Sequence, residues 1–310
     1  MPIEHASVRV VHKPWGASDL RPWSSIDGTN DAVGELWFER ADKNASIPTL
    51  LLKLLFTSEP LSIQVHPDDT FARAMGRPNG KSEAWYILSA KPDAKIAVGL
   101  KHRVTPQELR ASIRDGSIVD LVQWRPVARG DAIFIPAGTI HALGAGIVLA
   151  EIQQHSDATF RLFDYGRGRE LHEDNSVAAA DSGPLQQPAG IAIRLTRERT
   201  VLVASQHFVF EKVDLAAGSS WALLAEPETW MLVLDGHAAI GLTAASVGEA
   251  IFVSGGRTSI EVGANGLTAL VAYPAAAPAA SLLQTLGEPS AGPVPRTAVA
   301  ELISRYEART

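Results

Sequence analysis

Two histidines, a glutamine and a glutamate in the first half of the chain have the residue types and spacing of metal ligands. Gln64 and His66 are separated by one residue, so on a β-strand both side chains point to the same face. Glu83 opens the next apolar segment, and His141 follows a corner formed by Pro136-Ala-Gly138. Together these side chains can supply three or four ligands to a divalent ion and leave a position for water or substrate, as catalytic zinc requires.

The amino-acid composition excludes several other kinds of chemistry. The 310 residues include no Cys, which excludes disulfide scaffolds, thiolate nucleophiles, Cys-ligated zinc and iron–sulfur clusters. There are 28 Lys and Arg against 34 Asp and Glu, a formal net charge of −6, and this acidic balance argues against a nucleic-acid partner. With 46% hydrophobic and 20% charged residues the sequence is typical of a globular protein, and its length suggests two domains.

The N-terminus and the apolar runs predict no membrane partner. Residues Met1–His5 show neither the basic region nor the apolar core of a secretory signal. The longest apolar run, Thr49–Phe56, is interrupted by Lys53 and is too short to span a bilayer. We therefore expect a cytoplasmic protein.

Short apolar segments bounded by Gly, Pro or Asp predict β-strands along the whole chain. Each has the four-to-seven-residue length and the β-branched or aromatic content of a strand. Strands at this density favour an all-β sandwich or barrel over alternating βαβ units. The segments are Leu61–Val65, Ala84–Leu88, Lys95–Val98, Ala132–Ile135, Ile147–Ile152, Val201–Val203, Phe208–Val213, Trp230–Leu234, Ala250–Val253 and Leu267–Tyr273.

A helical insertion interrupts the strands of the first half. Thr105-Pro-Gln-Glu108 has an N-cap residue, a Pro at the first helical position and a capping-box Glu. Apolar residues continue to Val122, with Gly116 as a break between two short helices. We also predict helical stretches over Pro67–Met75 and Ala298–Tyr306.

A weak internal repeat relates the two halves of the chain. The segment Gly130–Gly138 has a counterpart in Gly248–Gly256, and Glu83-Ala-Trp85 matches Glu228-Thr-Trp230. A Gly-x5-Pro-x-Gly segment followed by a His is typical of a small β-barrel that turns a corner and presents a side chain inward. Two copies imply two barrels of related design.

The two copies differ at the metal ligands, which places the site in the first. Ser259 stands where the first copy has His141. The segment Asp181–Gly190, rich in Gly, Pro and Gln, is the best linker. We predict an N-terminal domain over residues 1–183 that carries the site and a degenerate second barrel over 184–310. The second barrel is expected to complete the core and to cover one side of the site.

Four ordered motifs resemble the type I mannose-6-phosphate isomerases, and most closely the short bacterial branch of these cupins. The motifs are Leu61–Asp69, Lys81–Tyr86, Pro136–Gly144 and Ser156–Arg167, and the similarity extends from Lys13-Pro-Trp-Gly16 to Leu171-His172. The resemblance implies an all-β fold of two cupin-like jelly-roll barrels with a helical insertion in the N-terminal half. It further implies an enzyme with one zinc ion per chain that interconverts mannose 6-phosphate and fructose 6-phosphate.

The resemblance also implies roles for individual side chains. The family's zinc ligands fall on the four side chains that the spacing indicates, namely Gln64, His66, Glu83 and His141. Lys81 and Ser62 match positions associated with the active site and its phosphate end. Arg161 matches the catalytic arginine, and Glu151 matches an acidic position in the strand after the histidine.

The implied reaction moves a proton between C1 and C2 of the sugar through an enediol. It needs a base, an electrophile for the two oxygens and an anchor for the phosphate. Arg161 stays protonated, so it suits stabilisation of the enediolate or a bidentate grip on the phosphate. Glu151 or a metal-bound hydroxide is the candidate proton carrier and Lys81 a candidate acid, and the sequence does not choose among them. Ser62 is a candidate substrate contact, and Trp15 is the candidate for stacking against the sugar.

Two departures from the family pattern and several alternatives stay open. His155 replaces a residue that is usually Asn in the short branch, and Ala145 stands where the general cupin pattern carries Asn. A set of two His and one carboxylate also suits iron, so an iron oxygenase or an isomerase of another sugar phosphate is an alternative. A third is a sugar-phosphate-binding cupin without turnover. The sequence does not distinguish a monomer from a homodimer.

Overall fold

The computed structural model of the chain describes residues 3–185 and 192–286. The helix predicted over Ala298–Tyr306 and residues 186–190 of the predicted linker lie outside these ranges. The strands of the first half are β1 (Ile3–His5), β2 (Ser7–Ala17), β3 (Val33–Glu39), β4 (Leu50–Thr57), β5 (Ile63–Val65), β6 (Glu83–Ala90), β7 (Lys95–Leu100), β8 (Val122–Pro126), β9 (Ala132–Ile135), β10 (His141–Leu143), β11 (Ile147–Gln154) and β12 (Phe160–Phe163).

In the described part of the second half, all of the regular elements are strands. They are β13 (Ile193–Arg194), β14 (Arg199–Ala204), β15 (Val209–Leu215), β16 (Ser220–Ala225), β17 (Thr229–Ile240), β18 (Thr243–Ser246), β19 (Ala250–Val253), β20 (Gly256–Tyr273) and β21 (Leu283–Thr285). Each of the ten segments predicted as strands overlaps one of these elements. The predicted all-β class with its helical insertion is confirmed.

Two antiparallel sheets face each other in the first half and enclose one core. Six strands follow in the order β2-β3-β4-β11-β6-β9, and five follow in the order β12-β5-β10-β7-β8. Apolar side chains from both sheets, such as Leu55 and Trp85 from the first and Ile96 and Leu143 from the second, pack into one cluster between them. This arrangement is a barrel whose interior is available to inward-facing polar side chains.

The six-stranded sheet is buried on both faces, which explains the long apolar run in β4. Leu50, Leu52 and Leu54 face the second half of the chain, whereas Leu55 faces the barrel interior. Because residues alternate along a strand, Lys53 shares the inward face with Leu55. The charge of Lys53, in an otherwise apolar strand, therefore faces the barrel interior.

The helices lie on the outer face of the five-stranded sheet. They are α1 (Asp69–Ala74), α2 (Pro106–Asp115), α3 (Ile118–Leu121) and α4 (Glu173–Ala179). The predicted capping box is present, with reciprocal hydrogen bonds between Thr105 and Glu108, and Gly116 ends α2 in the left-handed region at φ 80°. Val122, predicted within the second short helix, instead begins β8, and α4 was not predicted. None of the helices in the described ranges is long and apolar enough to cross a membrane.

The nine strands of the second half and β1 form a ten-stranded antiparallel sheet with its own interior cluster. A further cluster joins the two halves, with Leu52 and Phe56 from the first and Phe210, Trp230 and Phe252 from the second. The N-terminal strand β1 pairs with β19 and so belongs to the second sheet. The division of the chain at residue 183 remains a prediction.

Candidate metal centre and active site

Three buried side chains meet between the two sheets of the first barrel. His66, directly after β5, and His141, at the start of β10, come from the five-stranded sheet, and Glu83 opens β6 in the opposite sheet. His66 Nε2 lies 3.3 Å from one Glu83 oxygen, and His141 Nε2 lies 3.4 Å from the other. One ligand atom from each residue lies within 4.8 Å of the others, so the three could hold a metal ion.

Backbone carbonyls fix the orientation of both imidazoles. His66 Nδ1 lies 2.8 Å from the carbonyl of Ala158, and His141 Nδ1 lies 2.8 Å from the carbonyl of Thr139. In the tautomer that donates from Nδ1, each Nε2 lone pair is directed at the cluster, the usual second contact of a metal-binding histidine. The predicted corner before His141 is present, with Gly138 at φ 85°.

The Glu83 carboxylate provides a test of whether a cation fits this cluster. Both of its oxygens are buried and neither accepts a hydrogen bond of good geometry, although Lys81 lies close as an ion pair. A buried carboxylate without hydrogen bonds is costly, so a cation here would satisfy it. Burial and the charge of Lys81 lower the pKa of His66 to about 3, and burial also lowers the pKa of His141. Both imidazoles are therefore neutral near pH 7, as metal ligation requires.

Gln64 lies against the cluster with its amide nitrogen toward the histidine. Its Nε2 is 3.3 Å from His141 Nε2, and its Oε1 accepts a hydrogen bond from Ser62 Oγ at 3.1 Å. Amide oxygen is the atom that binds a cation, so ligation by Gln64 requires the amide to turn over. The Ser62 hydroxyl can then accept from Nε2, because a hydroxyl both donates and accepts.

Lys81 is buried beside the same three side chains. Its Nζ lies 2.8 Å from Glu83 Oε2 and 3.1 Å from His66 Nε2. Although burial opposes it, the charges of Glu83 and Glu151 raise the pKa of Lys81. The positively charged Lys81 ammonium therefore lies within hydrogen-bonding distance of two atoms that could bind a metal.

A pocket of about 540 Å³ opens next to the cluster. Its lining residues are Arg9, Val11, Lys13, Trp15, Glu35, Trp37, Lys53, Leu55, Leu61, Ser62, Gln64, Met75, Arg77, Lys81, Glu151, Asp157, Thr159, Phe160, Arg161, Arg169, His172 and Asn175. The predicted residues Trp15, Ser62, Lys81, Glu151 and Arg161 are all among them.

The expectation that the second barrel covers one side of the site is wrong for the described residues. No residue after Asn175 lines the pocket there. The second barrel packs instead against the opposite face of the six-stranded sheet, through the apolar cluster that includes Leu52 and Trp230. It therefore supports the sheet that carries Glu35 and Glu151.

Glu151 and Arg161 lie on opposite sheets of the barrel. Glu151, in β11, accepts a hydrogen bond from Trp85 Nε1 at 3.1 Å. Burial and the nearby charge of Glu83 raise the pKa of Glu151. Arg161, in β12, is half-buried and donates from Nε to the carbonyl of Glu170 at 3.0 Å. Within the described ranges no carboxylate lies within 4.0 Å of its guanidinium, so the group is free to bind an anion.

Lys53 and Glu35 are charged residues of the pocket that the sequence analysis did not identify as site residues. Lys53 Nζ lies 3.2 Å from Glu151 Oε1 and 3.7 Å from Glu35 Oε2. Lys53 appeared in the sequence only as an interruption of an apolar run. The sequence signal for Lys53 was a single charged residue in a strand that is apolar on both faces. A buried charge needs a partner of opposite charge, so such a residue points to an ion pair in the interior.

His155 does not line this pocket. It lies in a separate cavity of about 260 Å³ with Arg40, Ile47 and Trp230. Its backbone N–H donates to the carbonyl of Thr49 at 2.8 Å, next to the start of β4. The departure from the family pattern at this position therefore falls outside the described pocket lining.

Comparison with known proteins places the chain in a family. It is 32% identical over 269 residues to the mannose-6-phosphate isomerase of Streptococcus mutans, which covers 74% of this chain and 84% of the relative. It is 41% identical over 197 residues to the mannose-6-phosphate isomerase ManA of Bacillus subtilis, or 61% of this chain and 62% of that one. No family model matches the sequence.

Solved structures share the fold at lower sequence identity. The mannose 6-phosphate isomerase from Bacillus subtilis superposes with a TM-score of 0.75 at 24% identity, over 88% of this chain and 100% of that chain. A mannosephosphate isomerase assigned as putative, from Archaeoglobus fulgidus, superposes with a TM-score of 0.68 at 17% identity, over 88% and 97%. With the sequence similarity to the curated relatives, the chain belongs to the mannose-6-phosphate isomerase family.

Proposed function

We propose that this protein is a zinc-dependent isomerase that interconverts D-mannose 6-phosphate and D-fructose 6-phosphate through an enediol. The observation that carries the proposal is the buried cluster of His66, Glu83 and His141. It lies beside a pocket lined by acidic and basic side chains. The relatives that define the family carry the name of this activity.

The donor set supports zinc as the metal. Two imidazoles and a carboxylate, with the amide of Gln64 as a fourth donor, suit Zn²⁺ and leave room for substrate. When bound, zinc supplies Lewis-acid polarisation of the sugar oxygens and orients them. The same donors also suit iron, so the metal is decided by elemental analysis.

Glu151 is the residue to which we assign proton transfer between C1 and C2. It lines the pocket, and its raised pKa lies closer to neutral pH, where a carboxyl exchanges protons more readily. Trp85 holds one of its oxygens and Lys53 lies near the other, so the carboxyl group has a fixed direction. A fixed acid–base group is what an enediol mechanism needs.

The other pocket residues are assigned to binding the sugar phosphate. Among the residues that the structure describes, no carboxylate lies within 4.0 Å of the Arg161 guanidinium, which suits the phosphate or the negative charge of the enediolate. Ser62 and Trp15 line the pocket as a hydroxyl contact and an apolar surface for the sugar. Lys81 stays protonated and is assigned as an acid near the reacting oxygens.

Metal analysis and a coupled assay test this proposal. Purified protein should hold about one zinc per chain, and a chelator should abolish mannose 6-phosphate turnover, which added zinc restores. His141→Ala should lose metal and activity together, whereas His237→Ala, exposed in the second barrel, should keep both. Tightly held iron or selective turnover of another sugar phosphate would contradict the proposal, and a metal-loaded protein without turnover would favour a binding function.

A further inference from the structure

Lys53 lies between two buried carboxylates on the wall of the pocket. Its Nζ is 3.2 Å from Glu151 Oε1 and 3.7 Å from Glu35 Oε2, and it lies 4.3 Å from the centre of the Trp37 ring. The Lys53 side chain is only 5% exposed. Strand pairing fixes this arrangement, because Lys53 is the register partner of Trp37 on one side and of Glu151 on the other.

The two carboxylates that share Lys53 have different other partners. Glu35 accepts a hydrogen bond from Trp37 Nε1 at 2.6 Å and forms a second ion pair with Lys13 Nζ at 3.5 Å. Glu151 accepts only from Trp85 and has no second lysine within 4.0 Å among the described residues. Glu35 is therefore the better satisfied anion of the two.

We propose that Glu35 is a positioning residue that draws part of the Lys53 charge away from Glu151 and thereby keeps Glu151 able to carry a proton. The inference deepens the proposed function and rests on it for the role of Glu151. Glu35 acts through Lys53 and need not touch the sugar. Its negative charge also acts directly on Glu151, in the same direction.

The electrostatics of the pocket agree with this division of roles. Although burial opposes it, the charges of Lys53 and Lys13 lower the pKa of Glu35, so this group stays ionised. Burial and the charge of Glu83 raise the pKa of Glu151. Pairs of carboxyl groups whose pKa values are moved apart mark a division between a fixed charge and a proton carrier. The charged groups acting on Glu151 are Glu83 and Lys81 at the start of β6, Lys53 from β4 and Glu35 from β3.

The variant Glu35→Gln tests the proposal through the pH dependence of turnover. Its amide keeps the shape and can still accept from Trp37, but it no longer attracts Lys53. Lys53 then pairs fully with Glu151 and stabilises its carboxylate. The acid limb of kcat/KM should move to lower pH by roughly one unit, and kcat should fall about 10-fold because the base is weaker. KM should change little.

Two comparison variants separate this effect from a loss of structure. Glu35→Asp keeps the charge and should return the acid limb toward its original position. Glu249→Gln removes a carboxylate from the second barrel, where it pairs with exposed His5 outside the pocket lining, and should leave the profile unchanged. A purely structural role of Glu35 would lower thermal stability without moving the limb.

A titration of the Glu151 carboxyl group does not depend on turnover, so it tests the role of Glu35 separately from the proposed activity. The carboxyl carbon of Glu151 is followed by NMR in the metal-free protein and assigned by its loss in Glu151→Gln. Glu35→Gln should shift this titration to lower pH even if the protein turns over a different sugar phosphate. An unchanged Glu151 titration in Glu35→Gln would overturn the inference, whatever the activity of the protein.

Discussion

The ammonium group of Lys81 lies 2.8 Å from Oε2 of Glu83, inside the cluster that could bind a metal. The same Nζ is 3.1 Å from Nε2 of His66. Both of these partner atoms have lone pairs that a metal would use. A cation held by these atoms would lie close to the Lys81 ammonium, and the two positive charges would repel each other.

Removal of the Lys81 charge should strengthen metal binding. In Lys81→Met we expect the dissociation constant for zinc to fall by roughly tenfold, because a like charge next to the ligands is gone. Turnover should fall about 100-fold because an acid in the pocket is lost. A chelator competition titration measures the first effect and the coupled assay the second. Lys101→Met, exposed elsewhere, is the matched control, and weaker zinc binding in Lys81→Met would show that Lys81 holds the ligands in place.

Arg161 should affect turnover without affecting the metal. Its guanidinium lines the pocket but lies outside the His66, Glu83 and His141 cluster. Arg161→Ala should therefore retain its zinc and lose turnover by about 10²–10³-fold, the cost of removing one group that stabilises developing charge. Arg161→Lys should recover only part of the rate, because lysine lacks the planar pair of donors. Full activity in Arg161→Ala would show that Arg161 takes no part in turnover.

The buried histidines should make the metal-free protein less stable in mild acid. The folded protein lowers the pKa of His66 from 6.5 to about 3, so the unfolded chain binds a proton that the folded protein does not. Stability is therefore complete above pH 6.5 and falls as the pH decreases toward 3, by about 1.4 kcal/mol per pH unit for this residue. Urea unfolding at pH 7 and pH 5.5 measures the slope. His66→Gln should have a shallower slope than the wild-type chain, and equal slopes would contradict the assignment.

Local signals in the sequence predict most of the framework of the first barrel. The capping box at Thr105 and Glu108 fixed the start of α2, and the alternation of Gln64 with His66 placed both on the inner face of the barrel. These features depend on neighbours within a few residues. They could be found without knowing which strands pair.

The row of charges on the six-stranded sheet depends on pairing between distant strands. Glu35, Lys53 and Glu151 meet because β3, β4 and β11 are neighbours in one register, and a shift of one residue would turn each side chain to the opposite face. Nothing local to Glu35 distinguishes it from a solvated strand residue. The single Lys53 in an apolar run indicated a buried charge, but the sequence around Glu35 and Glu151 did not identify them as its partners.

The internal repeat aligns Glu228 with Glu83 in sequence, yet the two carboxylates have different partners in the structure. Glu228 accepts from the backbone N–H groups of Thr49 and Leu50 at 2.7 and 2.8 Å, and from the Thr49 hydroxyl at 2.8 Å. It thereby ties the second barrel to the first residue of β4, the strand that carries Lys53. The backbone groups that Glu228 contacts in the other barrel are determined by the fold of the chain. The short Glu-x-Trp motif does not predict them.

Loss of this tie should destabilise the whole chain. Glu228→Ala leaves the buried N–H of Leu50 without an acceptor and removes bonds to a charged group, so we expect a decrease in the free energy of unfolding of about 3 kcal/mol. Urea denaturation measures the loss, and Glu228→Gln should lose less because one oxygen remains. Glu226→Ala, in the same turn but without such contacts to β4, should lie close to the original stability. If Glu228→Ala unfolds at the same urea concentration as Glu226→Ala, the carboxylate does not join the barrels energetically, and the apolar contacts around Trp230 must do so instead.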